Sequence, residues 1–346
     1  MIFGTSVAIL ASVFPAGERG RAIGTYSSAT YLGLSTGPFL GGLLTQWFGW
    51  RSVFLVNVPV CLLVAFVTAL RLRGEWAEAK GEGFDLVGSA IYGASLVSAM
   101  YGISLLPSAS AAIPISLGAA ALAAFALREA RVDYPLLNVA LFKRNAVFAL
   151  SNLAALINYS ATFGIGFLMS LYLQFIRGFD PQTAGLILVS QPIVQAALSP
   201  LAGWLSDRVE PRIVASAGMA LTALGLAALS LSGEGTGLGA IIAELALIGL
   251  GFALFITPNT ATIMGSVEAK FFGMASSTLA TMRLAGQMMS IAIAMIVLSV
   301  QIGNVQIAPE HYPSLLSGVR IAFTAFSILC IAGISASLAR GSTRGL

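Results

Sequence analysis

Long apolar stretches alternate with short polar connections along the whole chain. A helix rises 1.5 Å per residue and needs about 20 apolar residues to cross a bilayer's hydrocarbon. Ten stretches reach that length: residues 22–46, 51–70, 86–106, 109–127, 147–172, 182–205, 212–232, 238–263, 272–299 and 318–339. Residues 1–14 are also apolar but too short to span, and they are expected to be the tail of a further helix. A segment in lipid must satisfy its own backbone hydrogen bonds, which leaves helices or a closed barrel. The short alternating segments of a barrel are not found in the sequence. The pattern therefore predicts an all-α, polytopic transmembrane helix bundle.

Composition points the same way. Of 346 residues, 57% are hydrophobic and 9% charged, where a soluble domain carries about 25% charged residues. The net charge of +4 is modest. The cations sit in short loops and form no stripe, so no nucleic-acid partner is expected. Their sidedness is informative. With the connection at 15–21 taken as cytoplasmic, Arg19, Arg21, Arg71, Arg73, Lys80, Arg128, Arg131, Lys143, Arg144, Arg208, Arg212, Lys270, Arg340 and Arg344 share that side. Arg51, Arg177 and Arg320 fall opposite, and Arg283 is left inside a helix. This bias supports both the helix count and the orientation. The expected location is a cell membrane, multi-pass, with the lipid bilayer as solvent. Met1 opens into an apolar run without a charged leader, so no signal peptide is expected. Cys61 and Cys330 lie in apolar runs and form no Cys-x-x-Cys pair, so neither metal nor redox chemistry is indicated.

An internal repeat is present. Laid over itself so that Gly20 meets Gly273, the sequence also superposes Ala22 on Ala275, Thr25 on Thr278 and Gly33 on Gly286. Membrane transporters are often built from two such halves. The densest motif is Gly33-x-x-x-Gly37-Pro38-x-x-Gly41-Gly42. Glycines at this spacing clear one helix stripe for backbone-to-backbone packing, and Pro38 removes a donor and kinks the helix. A general glycine-rich dimerisation face is the alternative.

This motif resembles the antiporter signature in the fifth helix of the major facilitator superfamily. Its flanks agree: Phe14-Pro15 and Glu18-Arg19-Gly20-Arg21-Ala22-Ile23-Gly24 before it, Trp50-Arg51-Ser52-Val53-Phe54 and Asn57-Val58-Pro59 after it. The block is similar to the fourteen-helix drug:proton antiporter branch, and Pro135-Leu136-Leu137 with Leu141-Phe142 resembles that branch's segment before its ninth helix. The resemblance implies that the family's first three helices and the start of the fourth would precede Met1. It also implies three regions: 1–70 as the remainder of an N-terminal bundle, 71–145 as a central linker with two extra transmembrane helices, and 146–346 as a C-terminal bundle. The implied function is proton-coupled efflux of small amphipathic, drug-like compounds by alternating access. The partners would be protons and a small-molecule substrate, with no cofactor or nucleotide. A facilitator-fold carrier of another substrate, or a non-transporting fragment, remains open.

Gly203-x-Leu205-Ser206-Asp207-Arg208-x-Glu210-x-Arg212 is similar to the superfamily's cytoplasmic loop Gly-x-Leu-x-Asp-Arg-x-Gly-x-Arg, with Glu210 where the pattern has glycine. Asp207 is positioned to accept backbone hydrogen bonds at a neighbouring helix start. Gly203, Asp207, Arg208 and Arg212 are therefore the expected cytoplasmic gate.

A charge inside a spanning helix costs about 2.5–3.5 kcal/mol on insertion scales and marks a functional candidate. Arg283, in mid-helix, and Glu244, two turns from the outer side, are expected to line an internal cavity and serve substrate or proton. Asn158, Gln191 and Asn259 are further substrate candidates, with Asn152, Gln195 and Gln287 as softer ones. Gln191-Pro192 and Pro258-Asn259 each set an amide beside a helix breaker. Gly33-Leu34-Ser35-Thr36-Gly37 matches a nucleophile pattern, but that motif needs a strand-to-helix elbow and a histidine base. Here it lies in a spanning helix, and the one histidine, His311, lies in an outer loop. No enzyme activity is expected.

Overall fold

The computed structural model describes residues 2–15, 17–71, 85–106, 108–132, 139–303 and 308–341. Arg73, Lys80, Arg344 and the Tyr134-Pro135-Leu136-Leu137 segment lie outside the described residues, as does the side chain of Pro38. Regular structure among the described residues is entirely helical. The order is α1 (Ile2–Val13), α2 (Arg19–Phe48), α3 (Arg51–Arg71), α4 (Leu86–Ser104), α5 (Ala112–Glu129), α6 (Val139–Arg144) and α7 (Ala146–Thr162). There follow α8 (Ile165–Leu171), α9 (Pro181–Leu188), α10 (Ser190–Arg208), α11 (Pro211–Leu231), α12 (Leu238–Gly265), α13 (Phe272–Ile302) and α14 (Tyr312–Ala339).

Nine of these segments, counting α7–α8 and α9–α10 as one each, are both long and apolar enough to span a membrane among the described residues. The sequence pattern gives ten. The tenth is α2, whose 30 residues reach about 45 Å but include many serines, threonines and glycines. Two expected spans are interrupted. The 147–172 stretch breaks at Phe163–Gly164 and ends in a π-helical turn, Tyr172–Ile176. The 182–205 stretch breaks at Val189, just before Pro192, whose ring nitrogen cannot donate to the preceding turn. Asp180 caps the start of α9 by accepting from the Gln182 and Thr183 amides at 2.9 and 3.1 Å, and Pro181 sits in the first turn.

Helices α7 to α14 pack as one body around buried side chains that include Leu168, Leu245, Phe323 and Phe326. Small residues let the backbones meet. A Cβ on Gly218 would stand 2.6 Å from the Gly251 carbonyl, and one on Gly286 the same distance from the Leu156 carbonyl. The central pair α4–α5 follows a different rule. Gly88, Ser95 and Gly102 are buried every seventh residue, against Ala111, Gly118 and Phe125 at the same interval. That period is the left-handed seam of two supercoiled helices. At one end Arg128 Nη2 pairs with Asp85 Oδ1 at 2.9 Å. The pair docks on α13 where the Tyr92 hydroxyl donates to Thr281 Oγ1 at 2.9 Å.

Helix α2 leans on α10. A Cβ on Gly24 would stand 2.5 Å from the Ser199 carbonyl, and the Gly203 Cα abuts the Gly20 carbonyl. Ser28 Oγ donates to the Ala196 carbonyl at 2.7 Å. Helix α3 follows α2, and none of its residues is buried.

Candidate functional site

A cavity of about 240 Å³ lies between α2 and α13, with α7, α12 and α1 contributing to its wall. Each long helix presents one stripe to it. From α2 come Ile23, Tyr26, Ser27, Thr30 and Tyr31, and from α13 come Ser276, Leu279, Ala280, Arg283, Leu284 and Gln287. These offsets of three and four residues define one helix face. The two stripes are also in register under the internal repeat: Ile23 corresponds to Ser276, Tyr26 to Leu279, Ser27 to Ala280, Thr30 to Arg283 and Tyr31 to Leu284. Val7, Tyr159, Ile256 and Thr260 complete the lining.

Arg283 is half-buried, with its guanidinium carbon 5.5 Å from the centre of the Tyr159 ring. That ring and Tyr31 both stand edge-on to Phe252, at 5.7 and 6.2 Å between centroids. The cation is thus held against the Tyr159 ring, an arrangement that offsets part of its desolvation. Among the described residues lining the cavity, Arg283 is the one formal charge.

Toward the side the cation bias assigns to the cytoplasm, α2 and α10 are tied together. Asp207, at the end of α10, accepts from the backbone amides of Gly20 (to Oδ1) and Arg21 (to Oδ2), each at 2.9 Å. A carboxylate here meets the unpaired amides and positive end of α2. The Arg19 guanidinium lies 5.0 Å from the centre of the Phe272 ring at the start of α13. Arg208 stacks on Trp204 at 4.2 Å, and Arg212 Nε pairs with Glu210 Oε1 at 3.0 Å. Of the residues expected to form a gate, Asp207 thus joins α10 to α2, while Arg208 and Arg212 are held by neighbours in their own segment.

Other sequence candidates are placed elsewhere. Glu244 does not line the cavity with Arg283; its Oε2 accepts from Ser232 Oγ at 3.2 Å, near the α11–α12 connection. Two turns of helix from an outer end are too few to bring a side chain to mid-depth. Asn158 is wholly buried within the α7–α14 body, and its neighbour Tyr159 is the residue that faces the cavity. Gln191 is half-buried on α10, with its backbone carbonyl against Gly249. Asn259 accepts from Arg340 Nη1 at 2.6 Å and donates to the Ser151 carbonyl at 3.1 Å. Gln287 does line the cavity; Asn152 and Gln195 are buried outside the lining, Gln195 in hydrogen-bond contact with Tyr31.

Among the described residues, none lies within 4 Å of where a Cβ on Gly33, Gly37, Gly41 or Gly42 would stand. The tight contacts of α2 lie at Gly20 and Gly24 instead. Sequence reasoning also missed Tyr26 and Tyr31, and took Arg340 for a solvated loop cation. Arg340 is 2% exposed, and burial lowers its pKa to about 10, which still leaves it charged near neutrality. The tyrosines had a usable signal: a polar stripe at helical spacing within an apolar span.

The chain matches the family model described as Major Facilitator Superfamily over residues 1–142 and 152–343. It is 33% identical over 295 residues to the multidrug resistance protein Stp of Mycobacterium tuberculosis, covering 84% of this chain and 54% of that one. It is 28% identical to the riboflavin transporter RibZ of Clostridioides difficile, covering 82% and 62%. It is 29% identical to the tetracenomycin C resistance and export protein of Streptomyces glaucescens, covering 87% and 57%. The chain thus spans little more than half the length of these relatives. Among solved structures it superposes on the human organic anion transporter MFSD10 with a TM-score of 0.61 at 14% identity, covering 97% of this chain and 67% of that one, a likeness of fold. The helical architecture, the paired cavity stripes and the match along nearly all of the chain agree: this protein belongs to the Major Facilitator Superfamily.

Proposed function

We propose that the chain carries the cavity and cytoplasmic gate of a proton-coupled exporter of small amphipathic compounds, working by alternating access. The observation that carries this reading is the Asp207 bridge to Gly20 and Arg21, at the start of α2, which shares a cavity with α13. A carboxylate held by two amides at a helix start is a directional latch, made in one arrangement of the halves and lost when they rock apart. The α2–α10 contacts include close backbone approaches at Gly20, Gly24 and Gly203. Resistance and export in the names of several relatives favour efflux, and a riboflavin transporter among them keeps another substrate as the second reading. The pair α4–α5 is read as the central insertion of residues 71–145, braced on α13.

The test is transport by the chain in sealed proteoliposomes with an imposed pH gradient. The proposal expects amphipathic substrate to move against proton flow, to stop when a protonophore collapses the gradient, and to fall severalfold in Asp207→Ala. Gradient-independent movement would remove the coupling, and no movement would leave the fold without this activity.

A further inference from the structure

We infer that Tyr31 joins the cavity to the α2–α10 seam, and that a flat phenolic solute in the cavity releases it. This rests on the reading of that cavity as the substrate site. Among the described residues, Tyr31 is the one side chain of α2 in a buried cluster whose other members come from α7, α10, α11 and α12, with Tyr159, Ala196, Met219 and Phe252 among them. Its ring stands edge-on to Phe252, 6.2 Å between centroids. Its hydroxyl is in hydrogen-bond contact with Gln195 of α10 and Tyr159 of α7. The same side chain lines the cavity. Its counterpart in the repeat, Leu284, lines the cavity too, but is 49% exposed where Tyr31 is 8% exposed. Tyr31 is therefore a peg from α2 into the body formed by α7 to α14, one helical turn beyond the Ser28–Ala196 hydrogen bond.

Parting α2 from α10 withdraws this peg. The ring leaves Phe252 and the hydroxyl leaves two buried partners, and a buried polar group without a partner is costly. Gln195 Nε2 already lacks a partner among the described residues, so the amide has a donor to spare. A solute that carries its own planar ring and hydroxyl supplies what Tyr31 supplies. A phenol hydroxyl both donates and accepts, so it can answer Tyr159 and Gln195 as the peg withdraws. A solute of the same shape with its hydroxyl capped fills the volume but has no proton to donate. A ligand shifts an equilibrium only by its difference in affinity for the two arrangements, and here the hydroxyl supplies that difference.

The experiment follows disulfide formation between Ser28→Cys and Ala196→Cys, in a chain with Cys61 and Cys330 replaced by serine, held in nanodiscs of zwitterionic lipid. Cross-linking reports α2 seated on α10. The probes are 2-naphthol and its methyl ether, 2-methoxynaphthalene, matched for concentration in the bilayer. Naphthol is expected to slow cross-linking about fivefold, the weight of one net hydrogen bond, and the ether to change it less than about twofold. Tyr31→Phe keeps the ring and deletes the hydroxyl. It is expected to cross-link slowly without solute and to respond to naphthol by less than about twofold, whereas a merely structural Tyr31 would leave the naphthol effect in place. Equal slowing by naphthol and ether, no slowing by either, or a naphthol effect that survives Tyr31→Phe would overturn the inference. A naphthol response without proteoliposome transport would sink the exporter reading alone. Export that proceeds while naphthol leaves cross-linking unchanged would sink this inference alone.

Discussion

Helices α2 and α13 are superposed by the internal repeat and face one another across the same cavity, yet they are packed in opposite ways. On α13 the outer side of the stripe is filled: Gly286 lies against the Leu156 carbonyl and Tyr159 Cβ of α7, at 2.6 and 2.8 Å from where a Cβ would stand. On α2 its counterpart Gly33 meets nothing within 4 Å. At the cytoplasmic ends the order reverses. Gly20 of α2 is clasped by Asp207 and Gly203, while its counterpart Gly273 touches nothing. The close glycine contact lies in the middle of α13 and at the start of α2; the start of α13 is held instead by larger side chains, Phe272 and its neighbours. A glycine stripe in the sequence therefore announces where a helix can be approached, and not that it is.

The largest test of this contrast is substitution by leucine at the paired glycines. Gly286→Leu drives a side chain into α7 and is expected to destabilise by about 3 kcal/mol, the upper end for overpacking. Gly33→Leu is expected to change stability by less than about 0.5 kcal/mol, as for a surface site. Thermal unfolding of the two variants in one detergent compares them, and equal losses would remove the asymmetry. A smaller effect is expected at the helix starts. Asp207→Ala removes the carboxylate that caps the start of α2, a loss of about 0.5–2 kcal/mol. Amide exchange at Gly20 and Arg21 should quicken, while exchange at Gly273 stays as it was. Comparable quickening at both helix starts would mean that the carboxylate is no specific latch.

The smallest effect belongs to the α4–α5 pair. The Arg128 guanidinium, and then the Gly88 amide, hold the Asp85 carboxyl below its usual range. A folded pKa below the unfolded one gives stability that is full above the ordinary carboxylate pKa and is lost as pH falls through the lowered one. Protease sensitivity at the pair's Asp85 end should rise as pH drops through that window. In Asp85→Asn it should be raised already and no longer respond; a wild-type response that persists in this variant would assign the titration to another group.

Much of the fold was legible in the sequence because lipid imposes length and continuity on every span. The described helices fall where the apolar runs fall, and the breaks at Val189 and Phe163–Gly164 are the local departures. The Asp207 contact was legible because a carboxylate in a short loop beside a helix start has few other uses. The cavity chemistry was half legible. Arg283 stood out as a charge in mid-span, but tyrosines are common in such helices, and only their register with Arg283 across the repeat singles out Tyr26 and Tyr31. Glu244 and Asn259 misled for one reason: a polar side chain in a span can be satisfied by a neighbour, here Ser232 and Arg340, and which neighbour depends on packing between helices distant in sequence.

The central claim is that α2 and α10 must part for the cavity to open to the cytoplasm. Ser28 and Ala196, already joined by a 2.7 Å hydrogen bond, are the place to forbid it. In a background with Cys61 and Cys330 replaced by serine, Ser28→Cys with Ala196→Cys is cross-linked by oxidant, and substrate movement is followed in the same proteoliposomes before and after reduction. The account predicts that movement stops in the cross-linked chain and returns on reduction. Undiminished movement through a cross-linked chain would contradict it.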